Sequence, residues 1–392
     1  MREVVIVSGA RTAIGDYMGS LSSLSAVELG VVAGKAAIEK AGIKPEMVEE
    51  VAGGHVYQGG NKGNTGRQVC LGMGCPVETV ALTINQQCPS SMRATEIISQ
   101  EIMLNKIDIG MAVGYESMSN CVYMVQKARQ GLRMGDAPFL DQLIYDGLND
   151  AFNNYHMGIT AENLAEMYNI SREEQDEWAY MSNQRACAAI AAGKFKEEIV
   201  PVEIKTKKGT VLFEVDEHPR ADANLESMAK LKPAFKKDGT VTAGNASGLN
   251  DAGAAIVITH RDKAKELGLT PLARIVSTAS AAVDPKVMGI GVVPAVQKAL
   301  KYAGLTKEDI GLWELNEAFA AQVIACNREL KIDKSIINVN GSGISLGHPV
   351  GQTGVRLIIT LIHEMRRRGI KYGVASLCAG GGPACATVVE LV

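Results

Sequence analysis

The stretch Thr79–Leu104, TVALTINQQCPSSMRATEIISQEIML, decides the fold. Its opening, Thr79–Asn85, is β-branched and apolar enough for a buried strand. Ser90–Leu104 reads as a helix, with Met92, Ile97, Ile98 and Met103 among its apolar positions. Cys88 sits in the short join between them. Pro89 follows, where a helix accepts proline because that N–H has no intrahelical partner. Cys88 is therefore expected at the positive end of a helix, just past the carboxyl end of a strand. A thiolate is stabilised there, and the thiolate is the nucleophile. The competing reading of a single free cysteine is a small core hydrophobe.

The chain around this unit has 392 residues, enough for two or three domains with large cores. Its net charge of −3 offers no basic footprint for nucleic acid. No run is long enough to span a bilayer. The N-terminus enters a strand at Val4–Ser8 and lacks a signal-peptide cleavage pattern, so a cytoplasmic location is expected. Eight cysteines are scattered without a CxxC pair, which suggests neither a disulfide framework nor a zinc ribbon.

The last third repeats the plan of the first. A shift of 262 lays Ala41-Gly42-Ile43 on Ala303-Gly304-Leu305 and Glu46 on Glu308. A shift of 263 lays Arg93 on Arg356, Gly110 on Gly373 and Ala112 on Ala375. Asn85 matches Asn340 at a shift of only 255, so the second copy carries about eight extra residues in one strand-to-helix turn. That turn, Gly341–Pro349, is the counterpart of the turn holding Cys88. Each copy alternates strands and helices, which predicts a mostly parallel sheet covered by helices. Two copies related by a pseudo-twofold axis bring equivalent turns together, and ligands of such sheets bind beyond the carboxyl ends of strands. Cys88 and His348 are thus expected to face one site from opposite halves. The reading divides the chain into a first half (1–120), an inserted loop domain (121–269) and a second half (270–392).

The insertion is too long for a loop and carries its own elements. Ser171 with Glu174 starts a helix running towards Ala192. Lys196–Lys208 is charged and alternating, as in an exposed strand. Thr240–Leu249, TVTAGNASGL, is a turn whose backbone groups can receive an amide-bearing ligand or simply close a structural turn.

Cys88 needs a base, and the repeat makes His348 the best placed of six histidines. Asn316 and Glu317 follow the second copy's strand, either orienting a site or capping a helix. Cys378 ends the strand Gly373–Leu377 and enters Ala379-Gly380-Gly381-Gly382-Pro383. Those glycines leave backbone N–H groups open to a ligand oxygen, as an oxyanion hole requires, or form a plain turn. The run lacks phosphate-loop spacing. His156-Met157-Gly158 touches a ligand or packs, and Arg220 pairs with phosphate or stays solvated.

Taken together, these segments resemble the thiolase family. The match is carried by Ala10-Arg11-Thr12-Ala13-Ile14-Gly15, Glu116-Ser117-Met118-Ser119, His156-Met157-Gly158, Ala243–Gly248, Met288–Gly291, Asn316-Glu317-Ala318-Phe319, Asn338–Gly341, Leu346-Gly347-His348-Pro349 and Cys378. The resemblance implies an α/β fold of five layers, αβαβα, built from two βαβαβαββ halves with a loop domain inserted from the first. It also implies a ping-pong Claisen reaction, two acetyl-CoA in equilibrium with acetoacetyl-CoA and CoA. In that chemistry Cys88 is acylated, His348 takes its proton, and Cys378 is the second acid/base at the α-carbon. His348 and a water held by Asn316 form one oxyanion hole, and the N–H groups of Cys88 and Gly380 the other. Arg220 is implied near the adenine end of CoA. Ala243 and Ser247 are implied along pantetheine, with Leu148, His156, Met157, Phe235, Ala318 and Phe319 lining the channel. No metal or redox cofactor is implied, since CoA thioesters are the substrates. A homotetramer, a dimer of dimers, is implied, with its joining region within Glu116–Asp141.

The family usually carries Cys-Gly-Ser-Gly at the nucleophile, whereas this chain has Cys88-Pro89-Ser90-Ser91. Pro89 removes an N–H and Ser91 adds bulk beside the cysteine. The expectation is a change in acyl-chain length or rate with the reaction retained. Gly382-Pro383-Ala384-Cys385 departs from a more glycine-rich ending. The alternatives are a broader-chain 3-ketoacyl-CoA thiolase, a β-ketoacyl or chalcone-type synthase, or a catalytically silent CoA- or lipid-binding protein. The synthases place a second His or Asn where this chain has Cys378.

Overall fold

The computed structural model describes residues 2–207 and 209–392. The first half runs β1 (Val4–Thr12), α1 (Ala26–Ala41), β2 (Glu50–Gly54), α2 (Thr65–Gly72), β3 (Val80–Ile84), α3 (Ser90–Met103) and β4 (Ile109–Ser117). It is completed, after the insertion, by β5 (Asn250–His260). The insertion carries α4 (Met157–Met167) and α5 (Arg172–Ala191). The second half runs β6 (Ala273–Ala282), α6 (Val292–Ala303), β7 (Leu312–Leu315), α7 (Ala320–Leu330), α8 (Thr353–Arg368), β8 (Tyr372–Cys378) and β9 (Pro383–Leu391).

Local signals set these elements. Ser25 and Glu28 form a reciprocal capping box at the start of α1, and Gly42 closes it in the left-handed conformation at φ 69°. Gly304 closes α6 the same way at φ 67°. Ser171 caps α5 by accepting from the Glu174 N–H. In the insertion the strand Val202–Thr206 pairs with Gly209–Phe213, where an exposed strand is expected, while Lys208 lies outside the described residues.

The duplication extends to strand register. Glu50 of β2 pairs in parallel with Gly110 of β4, and Leu312 of β7 pairs in parallel with Gly373 of β8. The third strand of the second half is reduced to a parallel bridge between Trp313 and Ile337. The extra residues after it hold a short helix, Gly343–Leu346.

The two sheets join at a corner, where Val5 and Ile6 of β1 pair with Arg274 and Ala273 of β6. The resulting order is β7-β8-β9-β6-β1-β5-β4-β2-β3. Helices α3 and α8 pack on each other and on strands of both halves, so they form the middle layer. Helix α8 is buried from Thr353 to Met365, all around its circumference. Helices α1 and α2 cover the outer face of the first sheet, and α6 and α7 that of the second. This is the five-layered arrangement expected.

One boundary is corrected. The insertion does not reach residue 269, because β5 pairs with both β1 and β4 and is buried along its whole length. Its run Ala252–Ile258 is apolar on both faces, as a central strand requires. The inserted region therefore ends near Leu249.

Candidate active site

Cys88 lies where β3 turns into α3. Gln87 before it is held at φ +55°, and Pro89 after it is the cap residue of α3. The proline thus stands one place earlier than the first helical residue. Ser90 tightens the turn, its hydroxyl donating to the Gln87 carbonyl (2.5 Å) and accepting from the Gln86 N–H (2.9 Å). The backbone N–H groups of Cys88 and Gly380 both reach the Cys88 sulfur. These are the two donors expected for an oxyanion hole.

The expected thiolate is not the resting state of this site. Burial pushes the Cys88 thiol up to about 12 against the pull of the two N–H groups, and the Glu116 charge adds to the rise. Proton removal is therefore part of the reaction rather than of the ground state. Cys378, at the end of β8, is fully buried. Its thiol is raised well above the usual range by burial, and further whenever Cys88 is ionised beside it. The turn after it is fixed by the Ala379 N–H donating to Pro383 (2.8 Å) and the Gly382 N–H to Ala379 (3.1 Å). Gly382, at φ +103°, passes so close to the Val283 carbonyl that a Cβ would lie 2.2 Å from its oxygen.

His348 enters from the second half. Its N–H donates to Asn250 Oδ1 (2.9 Å). Its Nδ1 lies 2.8 Å from the Thr353 hydroxyl, which itself donates to the Pro349 carbonyl (2.9 Å). That hydroxyl has one proton and has given it away, so it accepts from Nδ1–H. Nε2 is then the unprotonated nitrogen, and the Asn316 amide lies 3.3 Å from it. Burial, and then the Arg356 guanidinium, push His348 down to about 3. The imidazole is neutral, and its Nε2 lone pair, which faces the Asn316 amide, is its basic site. Arg356 is itself fully buried beside Glu314 (3.6 Å). Glu317 is not a helix cap: its carboxylate accepts from Trp178 (3.0 Å), Ser182 (2.6 Å) and Asn338 (2.9 Å) and anchors the insertion to the second half.

The two turns abut, as the repeat requires. Cys88 packs in one apolar cluster with Val56, Tyr57 and Val350, the last only two residues from His348. Glu116, buried at the end of β4, accepts from the N–H groups of Val56 (3.1 Å), Tyr57 (3.1 Å) and Gly351 (2.9 Å). Ser91 stitches α3 to α8, donating to the Gln352 carbonyl (3.2 Å) and accepting from the Val355 N–H (3.0 Å). Its bulk is accommodated by glycines: a Cβ on Gly114 would lie 2.6 Å from the Ser91 Cβ, and one on Gly354 3.0 Å from its hydroxyl. The Ser91 side chain therefore faces the helix junction, which corrects its expected role in shaping the acyl pocket.

Several of the residues expected along the CoA path touch one another in pairs. Met157 packs over Gly380, where a Cβ would meet its methyl at 2.8 Å. His156 caps α4, its Nδ1 accepting from the Gly158 N–H (3.0 Å), and its ring stacks on Phe235 at 4.4 Å. Phe235 meets Phe319 edge-on at 6.1 Å. The Ser247 N–H donates to the Ala318 carbonyl (3.0 Å). Leu148, at the end of the turn Leu143–Leu148, packs against the same apolar cluster as Cys88. Arg220 and Ala243 lie further out, in a cavity of about 290 Å³ also lined by Asn183, His218 and Ile344. Gly343, next to Ile344, approaches Asn316 so closely that a Cβ would lie 2.7 Å from its Oδ1.

Sequence reasoning missed Thr353 and Asn250 as partners of His348. Thr353 is five residues beyond the histidine, a spacing legible once Thr353 is known to open α8. Asn250 is 98 residues away and carried no signal.

A neutral thiol under two N–H donors, a second thiol beside it and a neutral imidazole in a duplicated α/β core define a thiol-dependent acyl-transfer enzyme. Family comparison bears on the whole chain. The thiolase N-terminal domain matches residues 4–262 and the thiolase C-terminal domain residues 269–391. The acetyl-CoA acetyltransferase of Cupriavidus necator is 53% identical over 391 residues, covering 100% of both chains. The structure of acetyl-CoA acetyltransferase from Syntrophomonas wolfei superposes with a TM-score of 0.98 at 49% identity, covering 100% of both chains. That of human mitochondrial 3-ketoacyl-CoA thiolase in complex with CoA superposes at 0.96 with 44% identity, covering 100% of this chain and 98% of that one. The chain belongs to the thiolase family and is an acyltransferase.

Proposed function

We propose that this enzyme interconverts two acetyl-CoA with acetoacetyl-CoA and CoA through an acetyl-Cys88 intermediate. The observation that carries the reading is the Cys88 sulfur under the N–H groups of Cys88 and Gly380, with the Cys378 thiol beside it. In cleavage, His348 Nε2 takes the Cys88 proton and the sulfur attacks the ketone carbon of acetoacetyl-CoA. The two N–H groups hold the oxygen that becomes negative. The carbon–carbon bond breaks, and the enolate of acetyl-CoA takes the Cys378 proton. Its charge develops against Asn316 and the protonated His348. CoA then gives its thiol proton to Cys378 and takes the acetyl group, and His348 returns the first proton to Cys88. Condensation is the same path reversed. All protons are accounted for by the two thiols, the imidazole and CoA, so the reaction calls on no metal or redox cofactor.

His156, Met157, Phe235, Ala318, Phe319, Ala243, Ser247 and Leu148 are assigned to the pantetheine channel, and Arg220 to the adenine end. Remote contacts of this kind supply binding energy that orients the reacting carbon. The assembly expected is a homotetramer. The hairpin Tyr123–Met124 with Leu140–Asp141 exposes Tyr123, Met134 and Phe139, and β3 is an unpaired sheet edge with Val77 and Val80 exposed. Among the described residues no helix is long and apolar enough to cross a membrane. The compartment proposed is the cytoplasm.

Intact mass tests the reaction. Brief exposure to acetoacetyl-CoA should add one acetyl group, and added CoA should remove it. Cys88→Ser should gain none. A wild-type protein that gains no adduct and leaves acetoacetyl-CoA unconsumed in the presence of CoA overturns the reading in favour of a silent binding protein.

A further inference from the structure

Helix α2 ends in a turn that pairs two thiols away from the acyl-transfer centre. Gly74 is held at φ +96°, its N–H donates to the Leu71 carbonyl (3.0 Å), and the Cys75 N–H donates to the Cys70 carbonyl (3.3 Å). This double bond pattern brings the residues on either side of the turn into side-chain contact. Here those residues are Cys70 and Cys75. Both are buried in the outer core under α1, where the turn sets the two thiols side by side. The 3.3 Å backbone bond holds their Cα atoms within the span a disulfide bridges.

A third residue activates the pair. Arg67, one turn upstream, donates to the carbonyls of Val77 (2.7 Å) and Thr79, which brings its positive charge to the turn that holds Cys70. The adjacent Cys75 thiol and this charge hold the Cys70 thiol below its ordinary range, while Cys75 is pushed up by its neighbour. One thiol inclined to ionise beside one that keeps its proton is the arrangement of an exchange-competent dithiol.

We propose that Cys70 and Cys75 are a reversible modification site, oxidised to a disulfide by a small hydroperoxide. The Cys70 sulfur attacks the peroxide O–O bond, gaining a hydroxyl, and the other oxygen leaves as water. Cys75 then attacks the Cys70 sulfur, an S–S bond forms, and the hydroxyl leaves as a second water with the Cys75 proton. Two thiols and one hydrogen peroxide give one disulfide and two waters. A small oxidant suits the site, since Cys70 is fully buried and Cys75 is 5% exposed. The bridge ties the end of α2 to the connection into β3, which leads on to Cys88.

The intact protein is exposed to a slight excess of hydrogen peroxide, its remaining thiols are alkylated in denaturant, and it is cut after Arg67 and Glu78. The peptide from Gln68 to Glu78 contains Cys70 and Cys75 and no other cysteine. It should appear two hydrogen masses lighter and unalkylated, and dithiothreitol before alkylation should restore two labels. Oxidation of Met73 in the same peptide adds an oxygen and is told apart by fragmentation. Cys75→Ser should leave a sulfenic acid on Cys70 that dimedone traps, and wild type should give no such adduct. A fully alkylated wild-type peptide, sulfinic acid without the bridge, or equal dimedone labelling of both proteins overturns the proposal.

Discussion

His348 Nδ1 and the Thr353 hydroxyl lie 2.8 Å apart, and that single contact decides which imidazole nitrogen carries the proton. Because Thr353 spends its own proton on the Pro349 carbonyl, the ring must donate through Nδ1 and present Nε2 as the base. The threonine is a positioning residue, since it touches neither substrate nor the reacting atoms.

Thr353→Val should lower kcat for thiolysis by about 10- to 100-fold, the cost of leaving a buried donor unpaired at ~1–3 kcal/mol. KM for CoA should stay within about twofold, because the remote CoA contacts are untouched. Thr353→Ser should restore most of the rate. Steady-state kinetics of the three proteins checks this, and equal losses in the Val and Ser variants would count against the tautomer argument.

The stability of the protein should depend on pH through His348. Its folded value is depressed to about 3, below the ordinary 6.5 of an unfolded chain. Between those values the unfolded chain binds the proton and the folded one does not. The contribution is therefore complete above about pH 6.5 and lost as pH falls towards 3. Denaturant midpoints measured from pH 7 to pH 4 should fall for wild type, and less steeply for His348→Asn.

The glycines after Cys378 should separate by what their missing Cβ would meet. Gly382→Ala puts a methyl 2.2 Å from a backbone oxygen at φ +103°, so the turn must move and carry the Gly380 N–H with it. Loss of one oxyanion donor lowers kcat by about 10²–10³. Gly380→Ala meets only the end of the flexible Met157 side chain, at 2.8 Å, and should cost far less. The ratio of kcat values for the two variants is the readout.

Ser91→Gly should weaken the junction of α3 and α8 without changing substrate choice. It removes two buried hydrogen bonds, at about 1–2 kcal/mol in total. Rates across acetoacetyl-CoA and longer 3-ketoacyl-CoA thioesters should keep their relative order. Pro89→Gly alters the residue directly beside the nucleophile, so a shifted chain-length profile there and none in Ser91→Gly would assign the difference to Pro89.

Much of the design is local and therefore legible along the chain. Ser25 with Glu28 and the left-handed Gly42 and Gly304 bound their helices through contacts three to five residues apart. The near-constant offset between the halves forecast that Cys88 and His348 come from equivalent turns, because duplicated units fold by the same local rules. Strand β5 carries no such local signal. Its pairing with β1 and β4 is settled by partners more than a hundred residues away, so its place in the first sheet is not legible along the chain.

What the sequence alone determined is the duplicated α/β plan, and with it the candidate nucleophile at a helix start and the candidate base in the equivalent turn. Those follow from periodicity and turn chemistry, whereas the role proposed for the second thiol rests on the resemblance to thiolases. Only the tertiary structure decided the protonation states and the geometry that depends on them. Burial holds Cys88 as a thiol and His348 as a neutral imidazole, against the thiolate that the helix start by itself suggests. It also decided that Thr353 sets the tautomer and that Ser91 faces the helix junction. Desolvation and hydrogen-bond direction belong to the packed neighbourhood of an atom, and that neighbourhood is assembled from segments far apart in the chain.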